Sequence, residues 1–286
     1  MKFLCNCADR LYAISPSFYY TVRYAAIRRR LPSFENPTDL SEWLLSQMLK
    51  PEFSKYAEFV DKIRVRDYIT RKGLGEHLPV LYGVWEKASD IDFESLPISY
   101  ALKTNHGCGG HIICHDSGTL DKKKATCQME SLLHRRFSIR EPHYAHIRPM
   151  VYAEEIIPSG NPGSLPVDFK FHCINGHVNC ILTCSNRNLE KHSFDLALFD
   201  TKWNVISDGL QSQYNKVLPP TPYHLKEMIN IAEQLSQEFP FVRVDLYDTP
   251  SKIFFGELTF TPASSLLPYF TTSKLREMSP NSPSKV

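Results

Sequence analysis

The chain has 286 residues, 42% of them hydrophobic and 22% charged, with a formal net charge of +2. These are ordinary globular values, enough for one large domain or two modest ones. They give no bulk electrostatic argument for nucleic acid, and no run approaches the roughly 18 uncharged apolar residues of a membrane span. The first residues, MKFLCNCADRLYAI, are interrupted by Asn6, Asp9 and Arg10 and do not make a secretory signal. Eight scattered cysteines (Cys5, Cys7, Cys108, Cys114, Cys127, Cys173, Cys180 and Cys184) include no Cys-x-x-Cys pair. Zinc is therefore weakly supported, and reduced thiols in a cytoplasmic protein are the simplest expectation. Cys108 is expected as a small loop filler.

Residues 1–60 are expected to be a helical N-terminal segment. Within it, residues 17–30 suit a helix whose basic end, Arg28-Arg29-Arg30, reads most simply as a solvated face; peripheral contact with a membrane or an acidic partner is the alternative. Pro32 and Pro37 break the chain, and Thr38 is a candidate N-cap for the next helix. A helical pattern over 54–72 ends at Gly73 and Gly75, and residues 80–85 read as a strand. A strand over 99–103 leads into Thr104-Asn105-His106-Gly107-Cys108-Gly109-Gly110-His111, and a further strand follows at 112–115. Glycines between two strands let backbone N–H groups converge on an anion, and Lys103 adds a point charge. The lysine precedes the glycines, so this is not a P-loop. Nor does the order of motifs fit a protein kinase.

Residues 121–137 read as a surface helix. Residues 150–157 form an apolar strand carrying Glu154 and Glu155, and Pro158-Ser159-Gly160 suits a hinge. Asp168, Lys170 and His172 alternate with apolar residues and so share one face of a strand. Asn175-Gly176 is a strong hairpin signal, with a return strand leading to Ser185-Asn186-Arg187. Residues 194–199 and Trp203 make an aromatic patch. Residues 224–239 form an amphipathic helix. It feeds FVRVDLYDTPSKIFFGELTFTP, residues 241–262, which read as two strands joined by a turn. That pairing sets Asp245 and Glu257 on neighbouring strands between apolar residues. Two such carboxylates repel unless a cation lies between them, and Mg²⁺ takes one or two carboxylates plus phosphate oxygens. The alternative sets them on opposite faces, with Asp245 paired to Arg243 or a lysine. Residues 271–286 are polar and Ser/Pro-rich and are expected to be a disordered tail.

Taken in order, Asn36-Pro37, DKIRVRDYI (61–69), LPISYALKTNHGCGG (96–110), AEEII (153–157), DFKFHCING (168–176), SNR (185–187) and RVDLY…GELTFTP (243–262) resemble the ATP-grasp superfamily. Within it they resemble the TupA-like branch of teichuronopeptide and surface-polysaccharide biosynthesis. The resemblance implies an α+β ATP-grasp fold, two lobes with antiparallel sheets and flanking helices gripping ATP. The N-lobe would span 61–155 and the C-lobe 156–270. Lys62 and Lys103 would bind phosphates beneath a flap of Asn105, His106, Gly107, Gly109 and Gly110. Glu154, Glu155 and Ile157 would lie at the adenine and ribose hinge, with Asp168 nearby. Asp245 and Glu257 would hold Mg²⁺, with Thr259 where relatives often carry Asn. Arg243 would face the transferred phosphoryl group, and Arg187 or Lys170 an oxyanion. His106 or His172 would relay a proton.

The implied reaction is ATP-dependent carboxylate–amine ligation through an acyl phosphate, on a small-molecule or glycan acceptor. A glycosyltransferase is the alternative, although no Asp-x-Asp is present near Asp245. A sugar or protein phosphotransferase would use the same cleft without a carboxylate. A non-catalytic nucleotide-binding scaffold fits the retained Lys, Asp and Glu residues poorly.

Overall fold

The chain opens with two helices, α1 (Lys2–Ile14) and α2 (Pro16–Arg28). The computed structural model describes residues 2–107, 109–135, 140–159, 165–188, 193–212 and 217–282, without the side chains of 2–7 and 188. Cys108, Gly160 and the expected helix end at 136–137 lie outside the described residues. Ser15 separates the two helices and accepts from the Phe18 amide, while Pro16 fills the first turn, where a missing N–H costs nothing. Tyr19, Tyr20 and Tyr24 turn inward.

The basic end of α2 is not a solvated run. Arg28 donates to the carbonyls of Phe270, Leu266 and Leu267 at 3.0, 2.8 and 2.6 Å. Arg30 pairs with Asp39 and Glu42. Arg29, left-handed at φ 58°, is the exposed member of the three. The cap of α3 (Leu40–Met48) also differs from expectation. Asp39 accepts the Glu42 amide at 2.9 Å, and Glu42 reaches back to the amide and hydroxyl of Thr38. A carboxylate is a stronger acceptor than a hydroxyl at the positive end of a helix.

The helix expected over 54–72 is broken into a 3₁₀ turn (Pro51–Tyr56), α4 (Ala57–Val60) and α5 (Val65–Arg71). Asp61 leaves helical geometry, and its carboxylate accepts from the amides of Ile63 and Arg64. Lys62 sits in this break.

Two antiparallel sheets follow. The first contains β1 (Leu81–Trp85), β2 (Tyr100–Thr104), β3 (Ile112–Cys114) and β4 (Val151–Glu154), in the order β1-β4-β2-β3. Helix α6 (Lys122–Leu133), capped by Asp121, packs Met129 and Leu133 with Tyr100, Leu102, Val151 and Ala153. The alternate residues Ala101, Lys103, Tyr152 and Glu154 are left facing the other way, into a cleft.

The second sheet runs β7-β6-β5-β8-β9. Its strands are β5 (Asp168–Ile174), β6 (His177–Asn188), β7 (Ser193–Phe199), β8 (Phe241–Asp248) and β9 (Ile253–Thr259). Asn175 (φ 48°) and Gly176 (φ 82°) close the β5–β6 hairpin, both left-handed as a two-residue turn demands. Helix α7 (Leu225–Ser236) shares one apolar cluster with Phe171, Cys173, Val242 and Val244. Asp168, Lys170, Arg243 and Asp245 therefore point to the opposite face.

Beyond residue 270 the expected disordered tail gives way to α8 (Thr272–Glu277), capped by Thr271. Its Leu275, with Met278 just beyond, is buried in a cluster with Leu40, Leu44 and Leu182. Two apolar residues three apart suffice to dock this short helix, although the composition around them is polar.

Candidate active site

The two sheets face each other across a cleft of about 880 Å³. From the first lobe it receives Lys62, Arg66, Lys103, Gly107, Gly109, His111, Glu154, Glu155 and Ile157. From the second it receives Asp168, Lys170, Arg187, Asp245, Tyr247 and Glu257.

The register of β8 and β9 brings Asp245 directly opposite Glu257. The two carboxylates therefore share a face, against the opposite-face alternative, although Asp245 is paired with Arg243 and Lys170 as that alternative expected. Arg243 grips Asp245 through Nε and Nη2 at 2.6 and 2.7 Å, and the same Nη2 lies 3.0 Å from both Glu257 Oε1 and Thr259 Oγ1. Lys170 donates to Asp245 at 2.6 Å and lies 3.3 Å from Asp168. Arg187 binds Asp168 at 3.0 Å and the carbonyl of Pro166. Desolvation works to raise the Glu257 carboxyl, but Lys62, Arg243 and Lys170 outweigh it and hold it down at about 2. Burial raises the Asp245 carboxyl against the pull of the same arginine and Lys170.

Gly256 makes this geometry possible. The register steps from Asp245↔Glu257 to Leu246↔Phe255, so Gly256 is the extra residue of a bulge. A Cβ there would come within 2.9 Å of the Tyr247 ring and 3.0 Å of the Asp245 carbonyl.

In the first lobe Lys103 pairs with Glu154 at 2.7 Å, and Arg66 stands 3.9 Å from the same carboxylate. Lys62 donates to the Gly107 carbonyl at 2.6 Å and lies 3.8 Å from Glu257. It thus links the flap to the acidic pair. Gly109 and Gly110 are left-handed at φ 76° and 75°, which gives the flap its turn.

Several expected residues do not line the cleft. Asn105 is fully buried, donating to Asp61 and to the carbonyl of Arg148 and accepting the amide of Met150. His106 is buried with Nε2 3.3 Å from the carbonyl of Arg135. His172 is buried beside the ring of Phe270; desolvation and Arg243 keep it neutral. Gly110, Arg243 and Thr259 also lie behind the cleft wall, the last two against the carboxylates. The histidines on the wall are His111 and His115. Burial, with Lys103, Arg187 and Lys62 nearby, lowers His111 and leaves it neutral.

Arg66 and Gly256 were not singled out from the sequence. Arg66 lies four residues after Lys62, and a lone glycine inside a strand is a bulge signal. Tyr247 and the apolar lining of Leu78, Ala101, Ile113 and Ile156 carry no such local mark.

The model of the family described as TupA-like ATP-grasp matches residues 42–278. The chain belongs to that family. The two-lobed α+β architecture is accordingly the ATP-grasp fold. Among solved structures it is similar to a D-alanine–D-alanine ligase from Bacillus anthracis complexed with ATP, at 16% identity and TM-score 0.43, covering 71% of this chain and 55% of that one. An L-amino acid ligase from Bacillus licheniformis gives 14% and 0.45, covering 83% and 48%. A D-alanine–D-alanine ligase from Helicobacter pylori gives 12% and 0.41, covering 79% and 61%. The chain thus spans about half to three fifths of the length of these structures. No curated protein matches it.

The metal implied by an ATP-grasp site is Mg²⁺. Among the described residues no group of three or more His, Cys, Asp or Glu could hold a metal by itself. Two carboxylates and the Thr259 hydroxyl form an all-oxygen set, and Glu257 stays ionised. That set fits a small hard cation whose remaining ligands are phosphate oxygens and water.

Proposed function

We propose that this TupA-like ATP-grasp chain is an ATP- and Mg²⁺-dependent carboxylate–amine ligase. It would work through an acyl phosphate and join an amino acid to a uronic acid or similar acceptor of a surface polysaccharide. One observation carries the reading: the lysine- and glycine-bearing face of the first sheet opposes the Asp245–Glu257 pair across a single cleft. The polysaccharide acceptor rests on the branch of the family alone.

The purine would occupy the apolar end, between Ala101, Ile113 and Ile156, with Glu155 and Ile157 beside it. Lys62 and Lys103 would bind the phosphates, Lys103 exchanging Glu154 for phosphate oxygen. Asp245, Glu257 and Thr259 would hold Mg²⁺, which when bound neutralises phosphate charge. Arg243 lies behind the acidic pair, where it can shift toward the transferred phosphoryl group. A substrate carboxylate oxygen attacks the γ-phosphorus and ADP leaves. An amine nitrogen then attacks the acyl carbon, losing its proton, and phosphate leaves with the electron pair of the C–O bond. Lys170 and Arg187 would stabilise the tetrahedral oxyanion.

The test is ADP release measured with ATP, Mg²⁺ and panels of carboxylates and amines. Turnover needing both partners, and a hydroxamate when hydroxylamine replaces the amine, supports the ligase. ADP formed with a hydroxyl acceptor and no carboxylate would make it a phosphotransferase. Thermal stabilisation by a nucleotide-sugar and not by an ATP analogue would make it a glycosyltransferase.

A further inference from the structure

Helix α2 is apolar on two sides. Tyr19, Tyr20 and Tyr24 fill the interior. On the outward side Phe18 and Val22 are 55% and 45% exposed, with Ile14 before them at 82% and Leu31 after them at 73%. Phe18, Val22 and the exposed Ala26 are spaced four apart along α2, so they follow one stripe, and Ile14 is exposed at the end of α1 just before it. From residue 18 to residue 26 that stripe is about 12 Å long. A helix with a satisfied inner face ordinarily turns polar residues outward. This one does not.

Charge identifies the partner. Residues 10–34 contain five arginines and no acidic residue. Arg28 and Arg30 are spent inside the fold, on carbonyls and on Asp39 and Glu42. Arg29 is exposed just past the end of α2, and Arg10 is exposed in α1. A second copy of the chain docked on this face would bring arginine against arginine, with Asp9 beside Arg10 already turned to Arg140. An anionic surface answers both arginines and takes the apolar side chains without a shaped pocket. We propose that the outward face of α2, with the end of α1, docks on an anionic lipid bilayer. Phe18 and Val22 enter the headgroup–acyl boundary while Arg10 and Arg29 meet lipid phosphates. Arg28 pins α2 to the loop that follows β9, so docking holds the cleft in a fixed attitude to the membrane. This inference stands apart from the reaction proposed above.

The test is co-sedimentation of the full chain with vesicles of phosphatidylcholine, alone or mixed with phosphatidylglycerol. The chain is expected to bind the mixed vesicles and to bind the neutral ones weakly. Phe18→Ser with Val22→Ser should lower partitioning by more than about tenfold. Arg10→Gln with Arg29→Gln should lower it about 30-fold, two residues at about 1 kcal/mol each. The replaced side chains are exposed, so both variants keep the parent melting temperature. Failure of the parent to bind mixed vesicles overturns the proposal. So does binding by the Phe18/Val22 variant equal to the parent. A dimer that this variant converts to monomer, with no vesicle binding by the parent, assigns the face to a second copy instead.

Discussion

Asn105 separates a phosphate ligand from a structural latch, because the two roles predict opposite results for Asn105→Ala. Its side chain makes three bonds in a fully buried position: to the Asp61 carboxylate at 3.0 Å, to the Arg148 carbonyl at 3.0 Å and from the Met150 amide at 2.8 Å. Its carbonyl also accepts from the amide of Lys62 at 3.2 Å. A neutral buried bond contributes about 1 kcal/mol and one to a charged group about 1.5–3. The sum is about 4 kcal/mol, and truncation leaves the Met150 amide without its acceptor. For a domain of this size that is a drop in melting temperature on the order of 10 °C. The assay is a thermal melt with and without Mg²⁺ and a non-hydrolysable ATP analogue. Ligand at about 100 times its Kd adds about 2.7 kcal/mol, and this increment should survive in the variant, since Asn105 does not face the cleft. A melting temperature within about 2 °C of the parent, together with loss of the ligand increment, would refute the latch and restore Asn105 to the binding site.

Glu257→Gln keeps the shape of the side chain and removes its charge; the ATP analogue should still stabilise the protein, but the Mg²⁺-dependent part of the shift should vanish in the same melt. For Lys103→Met, turnover should fall about 100- to 1000-fold, the usual loss for one aimed donor, and an unchanged kcat/KM would remove Lys103 from the phosphate site. His143 is buried with neither ring nitrogen hydrogen-bonded, and desolvation, with His146 nearby, lowers it to about 3. A base depressed on folding leaves stability intact above its unfolded value near 6.5 and erodes it as pH falls toward 3, so at pH 5 the cost is about 2 kcal/mol. His143→Phe should therefore flatten the decline of melting temperature between pH 6.5 and 5. Glu257 acts lower down: its stabilising effect is complete above about 4.5 and is lost as pH falls toward 2, which an acid titration of parent and Glu257→Gln resolves.

Alternation made the strands legible. In β8 the residues Val242, Val244 and Leu246 could face α7 only if Arg243 and Asp245 faced away, so the direction of Asp245 followed from period two, whereas that of Glu257 depends on the β8–β9 register and its bulge at Gly256. Lys103 was legible because it precedes a glycine turn, whereas Lys62, read as lying inside one long helix, was marked only by the family resemblance. What escaped the sequence depends on partners far away along the chain. The 54–72 pattern reads as one helix because nothing near Asp61 shows that Asn105, 44 residues on, will hold its carboxylate. Arg28 reads as solvated because the carbonyls that take it lie 238–242 residues away. The same blindness explains the flap. Local composition marks Asn105, His106 and the glycines as one polar loop, and their chemistry fits a phosphate. Their root is nevertheless fixed by Asp61, Arg148 and Met150, which turn Asn105 inward and leave the backbone at Gly107 and Gly109, with Lys62, on the cleft wall. A buried side chain of this kind sets where the lysine stands without touching what the lysine binds. Its replacement should therefore register first in stability and only secondarily in ligand affinity.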